Sequence, residues 1–203
     1  MAESKIAATD VRTRILDAAL DQLRRHGPAK TGVVDVARAL GVSHAAVYRH
    51  FSSKDALFDA VAGRWLSAVS QPLEAIAGRR GKSSKDLPAK RLEEWLTTLI
   101  AIKRRKVTDD PELFATYHAV AEAARKVASA HVANLQDQLR GIIADGMASG
   151  DFKVSDAAAA ATAVLNATMR FHHPHFVREY PADPAAERQV IRLVLAGLEA
   201  GAI

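Results

Sequence analysis

Apolar residues recur every three to four positions along most of the chain, and no convincing alternating strand pattern interrupts them. This periodicity predicts an all-α protein. A first helix is expected over residues 11–26, ended by Gly27-Pro28. Its inward positions are Ile15, Leu16, Ala19, Leu20 and Leu23.

The window from Lys30 to Leu57 predicts two short helices joined by a sharp turn. Apolar residues at 33, 36, 37 and 40 form one stripe of a helix over Thr31–Leu40. Gly41-Val42-Ser43 breaks the stripe, because glycine tolerates backbone angles that other residues resist. Ser43 is suited to cap a second helix that reaches Phe51. Two short helices around such a turn predict a helix-turn-helix, whose second helix can enter a DNA major groove.

A long fourth helix is expected from Ser53 to about Gly78. Asp55 lies in its first turn, where it complements the helix dipole. We place the domain boundary inside this helix, giving a DNA-binding domain over residues 1–64 and a second helical domain over residues 65–203. A basic, serine-rich loop follows over Gly78–Pro88.

Beyond Pro88 the pattern predicts further helices, about nine in the whole chain. Leu92, Trp95 and Leu99 share one face of a helix that the basic run Lys103–Lys106 is expected to end. Helix-end cations explain this run better than a nucleic-acid-binding tail. A new helix is expected to start at Asp110-Pro111, and the pattern predicts one kinked helix or two consecutive helices from Leu113 to Met147. An alanine-rich helix capped by Ser155 should follow, and the last helix should start at Asp183-Pro184.

Composition and charge narrow the function. The chain has 203 residues and no cysteine, which excludes disulfides, thiolate nucleophiles and Cys-ligated zinc. The start of the chain has no apolar signal-peptide region, and no run of 18 apolar residues occurs. These features predict a soluble cytoplasmic protein without a membrane partner.

The positive charge is concentrated near the start of the chain. Residues 1–54 carry nine Lys/Arg against five Asp/Glu, a net of +4, whereas the remaining 149 residues carry 19 against 18, a net of +1. The excess therefore coincides with the helix-turn-helix pattern. This is the charge distribution expected for binding DNA phosphates.

Residues 12–58 resemble the N-terminal domain of the tetracycline-repressor (TetR) family of bacterial transcriptional regulators. The resemblance depends on Val36-Ala37, Leu40-Gly41-Val42-Ser43, Val47-Tyr48, His50-Phe51 and Ser53-Lys54 followed by Leu57. It implies a three-helix DNA-binding domain followed by a C-terminal helical bundle for ligand binding and dimerisation. It also implies repression of a palindromic operator that a ligand relieves, and no enzymatic activity. The chain departs from the family pattern at Gly32 and Val34, where a threonine and a basic residue are usual.

The second helix of the motif supplies the predicted DNA contacts. Val47 and Phe51 must face inward, which leaves residues 44, 45, 48 and 49 on the opposite side. The resemblance implies that Tyr48, His50 and Lys54 contact the DNA backbone. The predicted DNA-binding set is Lys30, Thr31, Ser43, His44, Ala45, Ala46, Tyr48, Arg49, His50 and Lys54.

The second domain is expected to bind itself and an unknown small-molecule effector, with no required cofactor. The last two long helices combine small and branched apolar residues, which predicts a homodimer interface of Val164, Leu165, Thr168, Ile191, Val194, Leu195 and Leu198. Aromatic residues at helical spacing more often form core than pocket. The candidate pocket residues are Trp65, Trp95, Leu99, Phe114, Tyr117, His118, Met169, Phe171 and His172.

A histidine cluster leaves an alternative open. His172, His173 and His175 could bind a divalent metal, with His118 or His131 as a further ligand, in a metal-responsive regulator. Pro174 ends the helix between them, which favours helix capping and polar interface contacts instead. A metal-dependent enzyme is a weaker alternative, because no motif such as HExxH is present.

A further alternative function is that of a helical scaffold protein, in which the N-terminal pattern serves only for packing.

Overall fold

The computed structural model describes residues 2–80, 83 and 86–203, with side chains from residue 10 onward; Gly81 and Lys82 of the predicted basic loop lie outside the described residues. Within this part of the chain, the structure contains eleven helices and no strand. They are α1 (Ala2–His26), α2 (Val33–Leu40), α3 (His44–Tyr48), α4 (Lys54–Gly78), α5 (Pro88–Asp109), α6 (Pro111–Ala123), α7 (Arg125–Ser149), α8 (Ala157–Ala167), α9 (Met169–His172), α10 (Pro174–Glu179) and α11 (Pro184–Ala200).

The chain divides into two compact units. The first contains residues 1–66 and 111–129, and the second contains residues 67–110 and 130–203. The break within α4 falls close to the expected boundary at residue 65. Residues 111–129, which hold α6, belong instead with the N-terminal helices, so the units are not two consecutive stretches of sequence.

The first unit encloses the inward faces of its helices. Ile15, Ala19 and Leu23 of α1 are almost fully buried, as the periodicity of this helix predicts. α6 adds an aromatic group to this unit. The ring of Tyr117 stacks on Trp65 with centroids 4.8 Å apart, and Phe114 meets Trp65 edge-on at 6.0 Å.

The second unit has its own apolar core, drawn from α4, α5, α7, α8 and α11. Trp95 is fully buried at its centre, and its indole N–H donates to the side-chain oxygen of Gln138 at 2.9 Å. The amide nitrogen of Gln138 donates in turn to Asn134 at 2.8 Å. The buried indole of Trp95 and the buried amide of Gln138 are therefore both hydrogen-bonded, as burial usually requires.

A buried arginine connects three segments of the second unit. Arg91 of α5 is 1% exposed and forms an ion pair with Asp145 of α7. Its guanidinium also donates to the carbonyl oxygens of Ala77, at 3.2 Å, and Arg79, at 2.6 Å. These bonds hold the end of α4 against α5 and α7, where a buried cation without partners would be costly.

Three local expectations need correction. Asp156, not Ser155, caps α8, because its carboxylate accepts from the backbone N–H groups of Ala158 and Ala159. The basic run Lys103–Lys106 does not end α5, which continues to Asp109. Pro174 starts a new short helix, so α8 is followed by α9 and α10, and the described residues form eleven helices instead of nine.

Close packing of α7 against the following loop gives a stability prediction. A Cβ at Gly146 would overlap the ring of Phe152, whereas a Cβ at Gly141 of the same helix would meet nothing within 4 Å. We expect Gly146→Ala to lower the free energy of unfolding by about 1–3 kcal/mol through overpacking. Gly141→Ala should raise it by roughly 0.5–1 kcal/mol, since alanine favours the helix.

Urea denaturation followed by circular dichroism measures both effects. The two variants are matched because both add one methyl group to the same helix. Equal stabilisation by both substitutions would contradict the packing of Phe152 against Gly146.

Candidate nucleic-acid interface and ligand-binding unit

The turn between α2 and α3 has the geometry that the sequence predicts. Gly41 adopts the left-handed conformation, with φ 66° and ψ 30°. The N–H of Val42 then donates to the carbonyl of Ala37 at 3.0 Å, and the N–H of Gly41 donates to Arg38 at 3.2 Å. These bonds satisfy carbonyls at the end of α2 and set the direction in which the chain leaves it.

Helix α3 is short and presents most of its side chains to solvent. Ser43 caps it, because its hydroxyl oxygen accepts from the N–H of Ala46 at 3.2 Å. Val47 is fully buried and anchors the helix, while Tyr48 is 50% exposed. His44, Ala45 and Arg49 are exposed as well, and Ala46 and His50 are partly exposed. We call the exposed set His44, Ala45, Tyr48 and Arg49 the reading face of α3.

Lys54 has a contact within the first unit that the sequence does not reveal. Its ammonium donates to the carbonyl oxygen of Pro28 at 3.0 Å and lies 5.0 Å from the centroid of the Phe58 ring. This bond connects the start of α4 to the segment between α1 and α2. A lysine ammonium carries three N–H donors, so the bond to Pro28 uses one of them.

Arg12 is a basic residue near α3 that sequence reasoning missed. Its guanidinium lies over the ring of Phe51, 4.6 Å from the centroid, in a cation–π contact. Phe51 lies three residues after the end of α3, so the contact brings a positive charge from α1 close to the end of that helix. Residues 39 positions apart in sequence make this contact, which no local pattern indicates.

The two predicted contacts before α2 have different environments. Lys30 is exposed, whereas Thr31 is 1% exposed and its hydroxyl donates to the carbonyl of Gly27 at 2.8 Å. The prediction that Thr31 contacts DNA is therefore corrected to a structural role, in which its side chain closes the turn after α1. Burial leaves little of this side chain for a phosphate to reach.

The nine predicted pocket residues are divided between the two units. Trp65, Phe114, Tyr117 and His118 belong to the first unit, and Trp95, Leu99, Met169, Phe171 and His172 belong to the second. Leu99 and Phe171 are part of the second unit's core. Burial raises the pKa of Tyr117 in the first unit, which keeps its phenol neutral.

The predicted dimer interface also needs correction. Six of its seven residues are buried within one chain, and Leu195 is partly exposed; the six are Val164, Leu165, Thr168, Ile191, Val194 and Leu198. The hydroxyl of Thr168 donates to the carbonyl of Val164 at 2.9 Å, inside α8. These faces of α8 and α11 fill the core of their own chain. The large apolar side chain exposed on α11 is Leu193, at 71%.

The three clustered histidines point to separate roles. The ring nitrogen Nε2 of His172 lies 3.1 Å from the carbonyl oxygen of Leu165, and His172 is buried. His173 caps α10, since its Nδ1 accepts from the N–H of His175 at 3.3 Å. Over the described residues, no group of three His, Asp or Glu side chains is arranged to hold a metal. The arrangement supports helix capping over metal binding at His172, His173 and His175.

A different set of basic side chains is gathered inside the second unit. Lys103 of α5 is 4% exposed, and burial, with the charge of Lys106, lowers its pKa to about 8. Burial lowers the pKa of His172 to about 4, and the charges of Lys103 and His173 contribute. His131 of α7 has a pKa of about 3, lowered by burial and then by Lys103 and His172. We call Lys103, His131 and His172 the buried basic cluster.

The fold and the exposed face of α3 define a class of protein, a helix-turn-helix regulator that binds DNA. Residues 15–61 match the family model described as bacterial regulatory proteins, tetR family, and residues 88–196 match the tetracyclin repressor-like C-terminal domain. The second match alone covers more than half of the chain. The protein belongs to the TetR family of bacterial transcriptional regulators. This match confirms the predicted family and the predicted all-α fold. It also confirms the prediction that the protein is a transcriptional regulator instead of an enzyme.

Two curated relatives are from Mycobacterium tuberculosis. The HTH-type transcriptional repressor Rv1474c is 34% identical over 115 residues, which span 55% of this chain and 58% of the relative. The HTH-type transcriptional repressor Rv3405c is 44% identical over 52 residues, which span 26% of this chain and 28% of the relative. The chain thus matches less than two thirds of the length of these relatives.

Solved structures share the fold over nearly the whole chain. A protein of Pseudomonas aeruginosa PAO1 assigned as a transcriptional regulator superposes with a TM-score of 0.71 at 20% identity, covering 96% of this chain and 93% of the other. The complex of SmeT with triclosan gives a TM-score of 0.66 at 19% identity, covering 92% and 90%. RolR in complex with resorcinol gives 0.60 at 18% identity, covering 100% and 94%.

The buried histidines predict sensitivity to acid. His172 has a folded-state pKa of about 4, below the ordinary value of 6.5, so the unfolded chain binds the extra proton first. Stability from the neutral ring is present above pH 6.5 and is lost as the pH falls from 6.5 towards 4. Complete loss of this contribution lowers the free energy of unfolding by about 3 kcal/mol.

His172→Gln tests this prediction, because glutamine keeps a donor for the carbonyl of Leu165 and does not titrate. We expect the free energy of unfolding, measured with urea between pH 4 and 7.5, to fall less steeply in this variant. Exposed His44 provides the control, and His44→Gln should leave the pH dependence unchanged. Identical curves for His172→Gln and the unsubstituted protein would contradict the prediction.

Proposed function

We propose that the protein is a repressor in the cytoplasm that binds a palindromic operator as a homodimer and is released by a small-molecule effector. The observation that carries the proposal is the reading face of α3, held outward by the burial of Val47 and by the cap at Ser43. His44 and Arg49 can hydrogen-bond to base edges or phosphates, and Ala45 can contact a thymine methyl. Exposed Lys30 and Arg12 add positive charge for the DNA backbone.

A dimer gives the single short helix its specificity. One turn of helix reads only a few base pairs, whereas two copies related by a two-fold axis read two half-sites of a palindrome in successive major grooves. The exposed surface of α11 supports this self-association, since Leu193 places a large apolar side chain in solvent near small Ala196. A symmetric dimer would bury it against the same surface of the second copy.

The effector is proposed to bind the second unit. Solved structures of this fold include SmeT in complex with triclosan and RolR in complex with resorcinol. Triclosan and resorcinol are both small organic molecules. An effector relieves repression only if it binds one conformation of the protein more tightly than the conformation that binds DNA. The effector's affinity and the operator's affinity are then coupled, and each lowers the other by the same factor.

The DNA-binding proposal predicts the effect of changing the reading face. An operator is first selected from a random DNA pool, and its affinity is measured over a range of salt concentrations. We expect the double change His44→Ala and Arg49→Ala to weaken operator binding at least about tenfold, because each lost contact is worth roughly 1–3 kcal/mol. Fluorescence anisotropy with labelled operator provides the measurement.

Arg105→Ala is the matched control, since Arg105 is an exposed arginine of α5 in the second unit. It should bind the operator as the unsubstituted protein does. Circular dichroism should show equal melting for all three proteins. Selection that enriches no sequence, or an operator affinity that the double change leaves intact, would contradict the proposal.

The dimer proposal predicts the effect of a charge on α11. We expect Leu193→Glu to shift the protein from dimer to monomer and to weaken operator binding, because two carboxylates would be brought together at the two-fold axis. Leu87→Glu is the control, since Leu87 is also an exposed leucine, at 53%. Light scattering after size exclusion measures the mass. A dimer that persists in Leu193→Glu would remove α11 from the interface.

A further inference from the structure

We propose that the buried basic cluster of Lys103, His131 and His172 binds the carboxylate group of an organic anion, and that this anion is the effector. The proposal deepens the proposed function, because it names the chemical class of the small molecule and the residues that recognise its head group. It concerns the second unit alone, and each of its steps depends on residues of that unit.

Geometry brings together three basic side chains from three helices. Lys103 comes from α5, His131 from α7 and His172 from α9, and all three helices pack residues into the same apolar core. The charge of Lys103 acts on both histidines, which agrees with this placement. Lys103 and His172 are buried, at 4% and 8% exposure. The charged form of each group is destabilised by burial and by the positive charge of its neighbours.

One atom of the cluster has a hydrogen-bonding position available. His131 Nε2 is shielded from solvent and finds no hydrogen-bond partner within the described part of the chain. Buried polar atoms without a partner are uncommon in folded proteins and call for an explanation. A bound carboxylate supplies one, since its oxygen accepts a hydrogen bond from the ring N–H. His131 as a whole residue is partly exposed.

The surroundings of the cluster favour an anion with an apolar body. Leu99 and Ile100 lie one turn before Lys103 on α5, Leu135 lies one turn after His131 on α7, and Phe171 precedes His172; all four belong to the apolar core. A carboxylate head bound at the cluster would therefore place its hydrocarbon portion beside apolar side chains. Ligand sites commonly combine such a lining with a few polar groups that orient the ligand.

Protonation makes binding depend on pH. With a pKa of about 8, Lys103 is mostly charged at pH 7 and mostly neutral at pH 9, while both imidazoles are neutral in this range. The other basic groups that act on the cluster are Lys106 of α5 and His173 at the start of α10, and the carbonyl of Leu165 faces His172. A carboxylate stabilises the charged lysine, so its affinity should fall as the pH rises through 8.

The experiment compares carboxylates with uncharged analogues of the same shape. Octanoate and benzoate are titrated into the full chain by calorimetry, with octanamide and benzamide as their controls. We expect at least one carboxylate to bind at pH 7 roughly tenfold or more tightly than its amide, as for hydrogen bonds to a charged group. This preference should shrink towards pH 9.5.

Variants of Lys103 test the assignment of the residue. Lys103→Met keeps the apolar stem and should abolish the preference for carboxylate. Lys103→Arg keeps its charge at high pH and should preserve the preference at pH 9.5. Lys153→Met is the control, because Lys153 is an exposed lysine of the same unit. Thermal melting establishes that each variant folds.

The outcomes separate this inference from the proposed function. Lack of carboxylate preference at pH 7 for both pairs, or a preference that Lys103→Met leaves intact, would overturn the inference. Binding of the selected operator without any ligand is measured in the same proteins. Operator binding without carboxylate preference would leave the repressor intact and remove the anion site, whereas the reverse result would leave the site and remove the repressor.

Discussion

DNA recognition depends on the direction in which α3 leaves α2, and a few backbone bonds hold that direction. Gly41 reverses the chain in a left-handed conformation, and the N–H of Val42 bonds to the carbonyl of Ala37 across the turn. Ser43 then caps the new helix. Without this turn, Val47 would not reach the core and the opposite face would not be presented to DNA. A side chain at position 41 would have to adopt a conformation that costs L-residues roughly 1 kcal/mol or more.

The sequence predicts the parts of this structure that depend on neighbouring residues. Helix periodicity, the turn at Gly41 and the cap at Ser43 are local, and all three have the expected form. Contacts between segments that are distant in sequence could not be predicted in this way. The apolar faces of α8 and α11 suggested a partner chain, but the core of the same chain covers them. Among the candidate pocket residues, Tyr117 stacks on Trp65 in the first unit and Trp95 bonds to Gln138 in the second, and helical spacing alone indicates neither contact.

The basic run at 103–106 shows why a charge pattern alone is ambiguous. A run of four cations suggests a solvated helix end, but α5 continues past it and its residues face different ways. Lys103 points into the protein, whereas Arg104 donates to the carbonyls of Tyr180 and Pro181 and thereby holds the segment between α10 and α11. Periodicity would place Lys103 on the same face as Leu92, Trp95 and Leu99. Burial at this position destabilises the charged form of the lysine and lowers its pKa to about 8.

Helix α3 contributes little to the core beyond Val47, and this separates stability from specificity. The exposed residues of α3 have few packing contacts to lose, so mutation can change them while the fold remains. Gene duplication followed by substitutions at a handful of exposed positions would then produce a regulator with a new operator and an unchanged scaffold. The same separation makes the domain a practical starting point for engineering, in which the exposed side chains of α3 are changed while the fold is kept.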